Sequence, residues 1–372
     1  MTKDSIVKTV AIGISGGVDS AMAAKILLEE GYKVIGLTMS IWDDSIPIKE
    51  ATKSGCFGPG EKDDLVAAAN ICAKLGIEHH VIKLQNEYSD NVLSYYCNTY
   101  LQGETPNPCL MCNQRMKFGF LPQKAREAGI SFDLFATGHY VRVSYNAQLN
   151  RYQLHQALDK SKDQSYFLSF LHQDQLANLI FPLGNKTKAE MKAYARSIGF
   201  AELADKQESQ DFLESDDYSV LFDPETFTAG DIVDINGKVL GKHSGVINYT
   251  IGQRRNLGIS GQSEPYYVLE IDSVNNRIVV GPVRYLYSNK CLATNVNWLS
   301  IPAPAETCSV RAKIRAQHDP AECEIIPLSS ELLEVRFAEE QLSITPGQGI
   351  VFYDGETVLA GGIIGNPAKS LA

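Results

Sequence analysis

Two stretches of this chain hold residues whose types and spacing could do chemistry. The first is Gly13-Ile14-Ser15-Gly16-Gly17-Val18-Asp19-Ser20, which follows an apolar β-branched run and precedes a helix-like segment. Adjacent glycines let backbone N–H groups close around an anion, and a helix N-terminus adds positive partial charge. Ser15 and Ser20 offer hydroxyl donors, and Asp19 could orient a magnesium ion or the phosphate-binding backbone. No Gly-Lys-Ser/Thr ending follows, so this is not a Walker loop. The second is Asn107-Pro108-Cys109-Leu110-Met111-Cys112. Its Cys-x-x-Cys presents two thiolates on a tight loop, suited to zinc, an iron–sulfur cluster or a redox disulfide.

These residues need elements to position them. Residues 6–14 and 33–39 are apolar, β-branched runs that predict buried strands, and residues 21–30 read as the helix between them. Residues 62–75 place Leu65, Ala68, Cys72 and Leu75 on one helical face, with Gly76 as the stop. Residues 78–84 and 132–137 read as further strands, and residues 88–101 and 116–128 as helices. Alternating strands and helices imply βαβ units and a doubly wound parallel sheet, whose strand C-termini gather on one ligand-binding edge. After about Gly199 the pattern changes. The pairs Asn236-Gly237, Asn275-Asn276 and Asp354-Gly355 separate short β-branched runs, among them residues 277–280 and 350–353. The expected fold class is therefore α/β plus β. An α/β domain spans residues 1–207, a small central β domain residues 208–280, and a C-terminal β-barrel residues 281–372.

Composition excludes other classes. With 372 residues, 44% hydrophobic and 21% charged, the chain is neither disordered nor collagen-like and fills a core without staples. The N-terminal stretch lacks the apolar h-region of a signal peptide, and no run approaches the ~20 apolar residues of a membrane span. The eight cysteines accordingly read as thiols or ligands, and a soluble cytoplasmic protein is expected. Cys72 sits on an apolar helix face and reads as core, as do Cys291, Cys308 and Cys323 in the β region; Cys97 is left open. The net charge of −10 argues against a nucleic-acid partner only globally, since local basic residues bind phosphates. Arg311, Lys313 and Arg315 alternate and so share one strand face, either as phosphate contacts or as a solvated edge. Arg254 and Arg255 add a second basic patch.

SGGVDS matches the PP-loop signature of ATP pyrophosphatases, which cleave ATP to AMP and pyrophosphate by adenylating a substrate. Across nearly the whole chain the sequence resembles the tRNA-specific 2-thiouridylase family, through GISGGVDS, GLTMSIW, GETPNPCLMCNQRMKFG, FATGHYVR, KDQSYFLS, FPLG, YTIGQRRNLGI and TPGQ in order. The resemblance implies ATP at Gly13 to Ser20, at Met39 near the adenine, and at Gly138; by residue type alone Met39 reads as core. It implies ATP-dependent 2-thiolation of the tRNA wobble uridine, with adenylation of the uracil 2-oxygen, sulfur delivery and release of AMP. It puts Cys112 at the catalytic cysteine, and tRNA contacts at Asn107, Pro108, Cys109, His139, Lys162, Asp163, Gln164, Arg315, Ala316 and Gln348.

The sequence departs from the family at the sulfur site. An acidic residue usually precedes the catalytic cysteine where Cys109 stands here, and a second cysteine usually occupies a later loop. That loop, Lys206-Gln207-Glu208-Ser209-Gln210-Asp211-Phe212-Leu213, holds none. Cys109 and Cys112 then admit three readings: an iron–sulfur cluster with Cys56 as third ligand, a reducible disulfide, or plain acceptance of sulfide at Cys112. The family often has an aromatic residue where Ala316 stands, and alanine cannot stack on a base. Magnesium and a sulfur-donor protein complete the expected cofactors and partners. The alternatives are another PP-loop enzyme, or a tRNA-binding paralogue that has lost catalysis.

Overall fold

The computed structural model describes residues 7–48, 50–206 and 211–366. Strands and α-helices are numbered separately along the chain. A five-stranded sheet is built from β1 (Thr9–Gly13), β2 (Lys33–Ser40), β3 (Glu78–Lys83), β4 (Leu134–Ala136) and β7 (Leu179–Ile180), in the order β3-β2-β1-β4-β7. Every pairing in it is parallel. Alternation along β1 sends Val10 and Ile12 to one core and Ala11 to the other, so both faces are covered. The first core packs α1 (Val18–Glu29), α2 (Glu61–Leu75) and α8 (Lys188–Ser197) against the sheet. The second holds α3 (Gln85–Tyr88), α4 (Ser94–Leu101), α5 (Pro108–Met111) and α6 (Leu121–Glu127). α7 (Gln173–Leu176) and α9 (Ala201–Asp205) are short. As expected, α2 ends at Gly76, in the left-handed region at φ 68°. Strand order reverses between β1 and β4, and there a doubly wound sheet opens its ligand crevice.

The later part is β structure, as the sequence implies. β8 (Gly230–Asp234), β9 (Val239–His243), β10 (Tyr266–Asp272) and β11 (Arg277–Pro282) form a four-stranded sheet ordered β10-β11-β8-β9. β12 (Tyr287–Trp298), β13 (Cys308–Lys313), β14 (Ala321–Pro327), β15 (Leu333–Leu342), β16 (Gly349–Asp354) and β17 (Thr357–Ile364) make an antiparallel barrel, closed by pairing of β12 with β17. The three turn pairs fall between β8 and β9, β10 and β11, and β16 and β17. Asn276 and Gly355 adopt the positive φ that such turns need. Cys291, Cys308 and Cys323 pack on the barrel core, and Cys72 is buried under the first sheet.

Three local features differ from the sequence reading or are absent from it. The Cys-x-x-Cys is not a tight loop. Asn107 takes an extended N-cap conformation and Pro108 the first helical position, so both cysteines are already helical. The helix read from residue 116 thus starts at Pro108, and a π-helical stretch over Cys112–Phe120 broke the 3.6-residue pattern that would have revealed it. The second is a hairpin, β5 (Val141–Asn146) and β6 (Arg151–Gln156), which leaves the first sheet and extends the barrel by pairing with Thr357 and Val358. The third concerns the basic stripe. Arg315 lies in the turn beyond β13, and Arg311 is paired with Glu322 on the neighbouring strand at 3.3 Å. The division placed at residues 207 and 208 lies outside the described residues.

Candidate functional site

Two segments leave the sheet at its switch point. β1 runs into the loop from Gly13, and β4 into Thr137-Gly138-His139-Tyr140. Ile14 ties the first to β2: its N–H donates to the Leu37 carbonyl and its own carbonyl accepts from Thr38 Oγ1, both at 2.8 Å. Gly16 has φ 75°, and a Cβ there would come within 3.0 Å of the Asp64 carbonyl on α2. Ser20 Oγ accepts from the Ser15 N–H at 3.2 Å and donates to the Gly17 carbonyl at 3.1 Å. No side chain caps α1 at Gly17, so its first turn faces the crevice with backbone donors. Met39 is half-buried at the end of β2, beside this loop.

Asp19 is not an open metal ligand. Lys188 Nζ lies 2.8 and 2.7 Å from its two oxygens, and the Tyr140 hydroxyl donates to Oδ1 at 2.9 Å. Neither partner stood out in the sequence. The Thr-x-x-Glu box at Thr187 and Glu190 marks the helix start that places Lys188, and was the available signal.

The segment after β4 joins this loop to the thiols. Gly138 touches the start of α1 so closely that a Cβ would meet the Asp19 carbonyl carbon and the Ser20 nitrogen at 2.7 Å. His139 accepts or donates to Thr137 Oγ1 at 2.7 Å and packs on Phe118 of the π-helical stretch, ring centres 5.6 Å apart. Burial, reinforced by the charge of Lys117, holds His139 well below its ordinary pKa, so the ring is neutral. Gln164 fixes the segment from outside, bonding both the N–H and the carbonyl of Tyr140 at 2.9 and 3.1 Å.

Cys109, Cys112 and Cys56 share one electrostatic neighbourhood with Lys117. The surrounding protein pushes the Cys109 thiol up to about 12 and Cys112 to about 11, and raises Cys56; in each case Lys117 pulls the other way. A π-helix nearly aligns positions five apart, so Cys112 and Lys117 share a face that an α-helix would not give them. Cys56 is held beside residues 211–214. Cys56 and Phe57 N–H groups donate to the Phe212 carbonyl at 3.2 and 2.8 Å, and Lys53 pairs with Asp211 at 2.8 Å. Residues 207–210 of the later loop lie outside the described residues; Lys206 pairs with Asp64 at 2.8 Å. Among the described residues no three His, Cys, Asp or Glu side chains are arranged to hold a metal ion. Cys97 donates to the Leu221 carbonyl at 3.3 Å, turned to another neighbour.

Besides Cys109 and His139, the residues expected at tRNA fall into two groups. Asn107, Pro108, Arg315, Ala316 and Gln348 meet where the barrel docks on the first domain. Gln348 Nε2 donates to the Thr105 and Pro106 carbonyls at 3.1 and 3.0 Å. The Asn107 side chain bonds the Tyr166 hydroxyl, which also senses the Arg315 charge. Ala316 packs on the second core of the first domain. Lys162, Asp163 and Gln164 are the second group, next to Tyr140. Asp163 turns inward, accepting from the Ala157 N–H at 2.9 Å and Ser165 Oγ at 2.8 Å, so its carboxylate holds the loop's shape. Arg254 and Arg255 are exposed in the central domain.

A parallel sheet with a glycine-bearing loop at its switch point, carrying two β units behind it, defines a HUP-type α/β protein. A model described as the tRNA methyl transferase HUP domain matches residues 8–213. Others, described as the tRNA methyl transferase PRC-barrel domain and the aminomethyltransferase beta-barrel domain, match residues 221–282 and 288–364. The tRNA-specific 2-thiouridylase MnmA of Endomicrobium trichonymphae is 45% identical over 357 residues, covering 95% of this chain and 98% of that protein. The protein of the same name from Geotalea uraniireducens is 44% identical, covering 98% of this chain and 96% of that one. The chain belongs to the tRNA-specific 2-thiouridylase family.

Proposed function

We propose that this protein is an ATP-dependent tRNA-uridine 2-sulfurtransferase acting on the wobble uridine. One observation carries the reading: residues 137–140 touch the nucleotide loop through Gly138 and Tyr140, and the thiol helix through His139. An adenylating centre and a sulfur centre therefore adjoin, in a chain of this family.

Direct replacement of a uracil oxygen by sulfur fails because the oxygen is a poor leaving group. In the proposed reaction the uracil 2-oxygen attacks the α-phosphorus of ATP and pyrophosphate leaves. A sulfur nucleophile then adds at C2 and AMP departs. Gly13, Ile14, Ser15, Gly16, Gly17, Val18, Asp19 and Ser20, with Met39 and Gly138, form the ATP site. Backbone donors at the start of α1 receive the phosphates. Magnesium would enter on the nucleotide's phosphates and not through Asp19, whose oxygens are engaged.

Cys112 is the sulfur-bearing residue in this reading. A sulfane sulfur carried there as a persulfide bonds to C2; Cys109 then attacks Cys112 Sγ, which releases the thiolated base and leaves a Cys109–Cys112 disulfide. A thiol reductant restores both cysteines, and a persulfide-bearing donor protein reloads Cys112. Neutral His139 offers a hydrogen bond without competing for positive charge. Asn107, Pro108, Cys109, His139, Lys162, Gln164, Arg315, Ala316 and Gln348 border the path of the tRNA, and Asp163 shapes it from beneath. No helix among the described residues is long and apolar enough to cross a membrane, consistent with action in the cytoplasm.

The test is pyrophosphate release from ATP with and without tRNA, together with mass spectrometry of the tRNA nucleosides after adding a persulfide-bearing sulfur donor, with a thiol reductant supplied afterwards to reset the cysteines. The reading expects tRNA-dependent pyrophosphate and 2-thiouridine, with thiolation lost in Cys112→Ala while pyrophosphate release persists. Tight tRNA binding with neither product would instead identify a paralogue without catalysis.

A further inference from the structure

The nucleotide loop contains a carboxylate, Asp19, and no lysine or arginine from Gly13 to Ser20. A triphosphate approaching the first turn of α1 would meet that negative charge among the backbone donors. The opposing charge comes from a segment far along the chain. Lys188 is the first residue of α8; its side chain is 8% exposed, and its ammonium bridges both Asp19 oxygens at 2.8 and 2.7 Å.

Nothing within α8 calls for a lysine there. A cation in the first turn opposes the helix dipole, and such a local conflict marks a residue kept for another purpose. The backbone carrying it is fixed twice. Thr187 and Glu190 form a reciprocal cap, with Glu190 accepting from the Thr187 N–H at 2.7 Å, and Asp159 Oδ2 accepts from the Lys188 N–H at 3.0 Å. Tyr140, from the segment that also carries Gly138, adds its hydroxyl to Asp19 at 2.9 Å. Exposed and partly buried ion pairs are weak devices for stability, so a pair held this firmly at a ligand edge, its lysine 8% and its aspartate 30% exposed, points to the ligand.

We propose that Lys188 is a positioning residue for the nucleotide: by neutralising and pinning Asp19 it makes the loop from Gly13 to Ser20 receptive to a polyphosphate. The inference rests on reading that loop as the ATP site.

The experiment measures ATP affinity by calorimetry for the full chain, Lys188→Met, Lys188→Arg, Asp19→Asn and the double variant Asp19→Asn/Lys188→Met, with circular dichroism as the folding control. Lys188→Met should weaken ATP binding at least tenfold, and Lys188→Arg should restore most of it. In the Asp19→Asn background the same lysine change should cost at least threefold less, because no bare carboxylate remains. A helix-capping or purely structural lysine would lose the same factor in both backgrounds, and that result overturns the inference. So does unchanged affinity in Lys188→Met. If Lys188→Met does not fold, the decision passes to Tyr140→Phe, which should weaken binding a few-fold; no effect there overturns the proposal. Failure of the unaltered protein to bind ATP would instead remove the reading of the loop itself.

Discussion

Gly138 has no room for a side chain, because a Cβ would strike the Asp19 carbonyl carbon and the Ser20 nitrogen. Both are backbone atoms of the first turn of α1, which cannot yield cheaply. Gly138→Ala should therefore cost about 1–3 kcal/mol in urea denaturation and lower ATP affinity at least tenfold by calorimetry. A fully stable variant with normal ATP binding would contradict the packing described. His139 gives a second prediction. Its folded pKa lies well below the ordinary 6.5, so the unfolded chain takes up the proton first. The stabilisation from the neutral ring is complete above about pH 6.5 and is lost as pH falls below it. Ring resonances of His139 in an NMR titration should stay at neutral positions down to pH 6, whereas an exposed histidine would be half-charged near 6.5. The nucleotide loop and the cysteine pair were legible because their chemistry is local in sequence. Lys188, Tyr140 and Lys117 were not. Asp19 and Lys188 lie 169 positions apart, and only the packing of α8 on α1 brings them together.

The helices that carry the thiols show why spacing alone misjudged this element. Residues 112–120 wind as π-helix, shifting the apolar pattern out of the period that a helix search recognises, whereas the helix read over residues 88–101 is present despite its π-helical turn at 89–93. The strands of the parallel sheet, by contrast, were evident from their apolar runs. The hairpin β5–β6 was not, since its alternation faces a barrel strand about 200 residues later. At this scale Gln348 is a clamp between elements: its amide satisfies the Thr105 and Pro106 carbonyls just ahead of the Asn107 cap. Gln348→Ala removes both donors, at about 1–3 kcal/mol for carbonyls left half-satisfied. Hydrogen exchange followed by mass spectrometry should show faster exchange across residues 104–112, with ATP affinity unchanged. A residue that served only as an RNA contact would leave that exchange as it was.

For the whole molecule, a net charge of −10 means that any RNA is met by local groups, against the average field. The barrel and the first domain are also joined by charge. Glu356, in the turn between β16 and β17, pairs with Lys160 at 2.6 Å and with Arg142 of β5. These hydrogen bonds hold Glu356 down to about 2. Its contribution is present above the ordinary carboxylate value of 4.5 and is lost as pH falls through about 2. Exchange of the β5–β6 amides should therefore rise over that acid range, beyond the intrinsic pH effect, and Glu356→Gln should show the same loosening already at neutral pH. The hairpin has one more consequence, for the order in which the protein is made. β6 pairs with Thr357 and Val358, and Leu154 is fully buried beneath them. At roughly 5–20 residues per second, a ribosome finishes β6 roughly 10–40 s before it adds those partners. Throughout that interval the nascent chain carries an open strand edge with Leu154 uncovered, so the half bearing the nucleotide loop and the thiols is completed only when the barrel's final strand arrives.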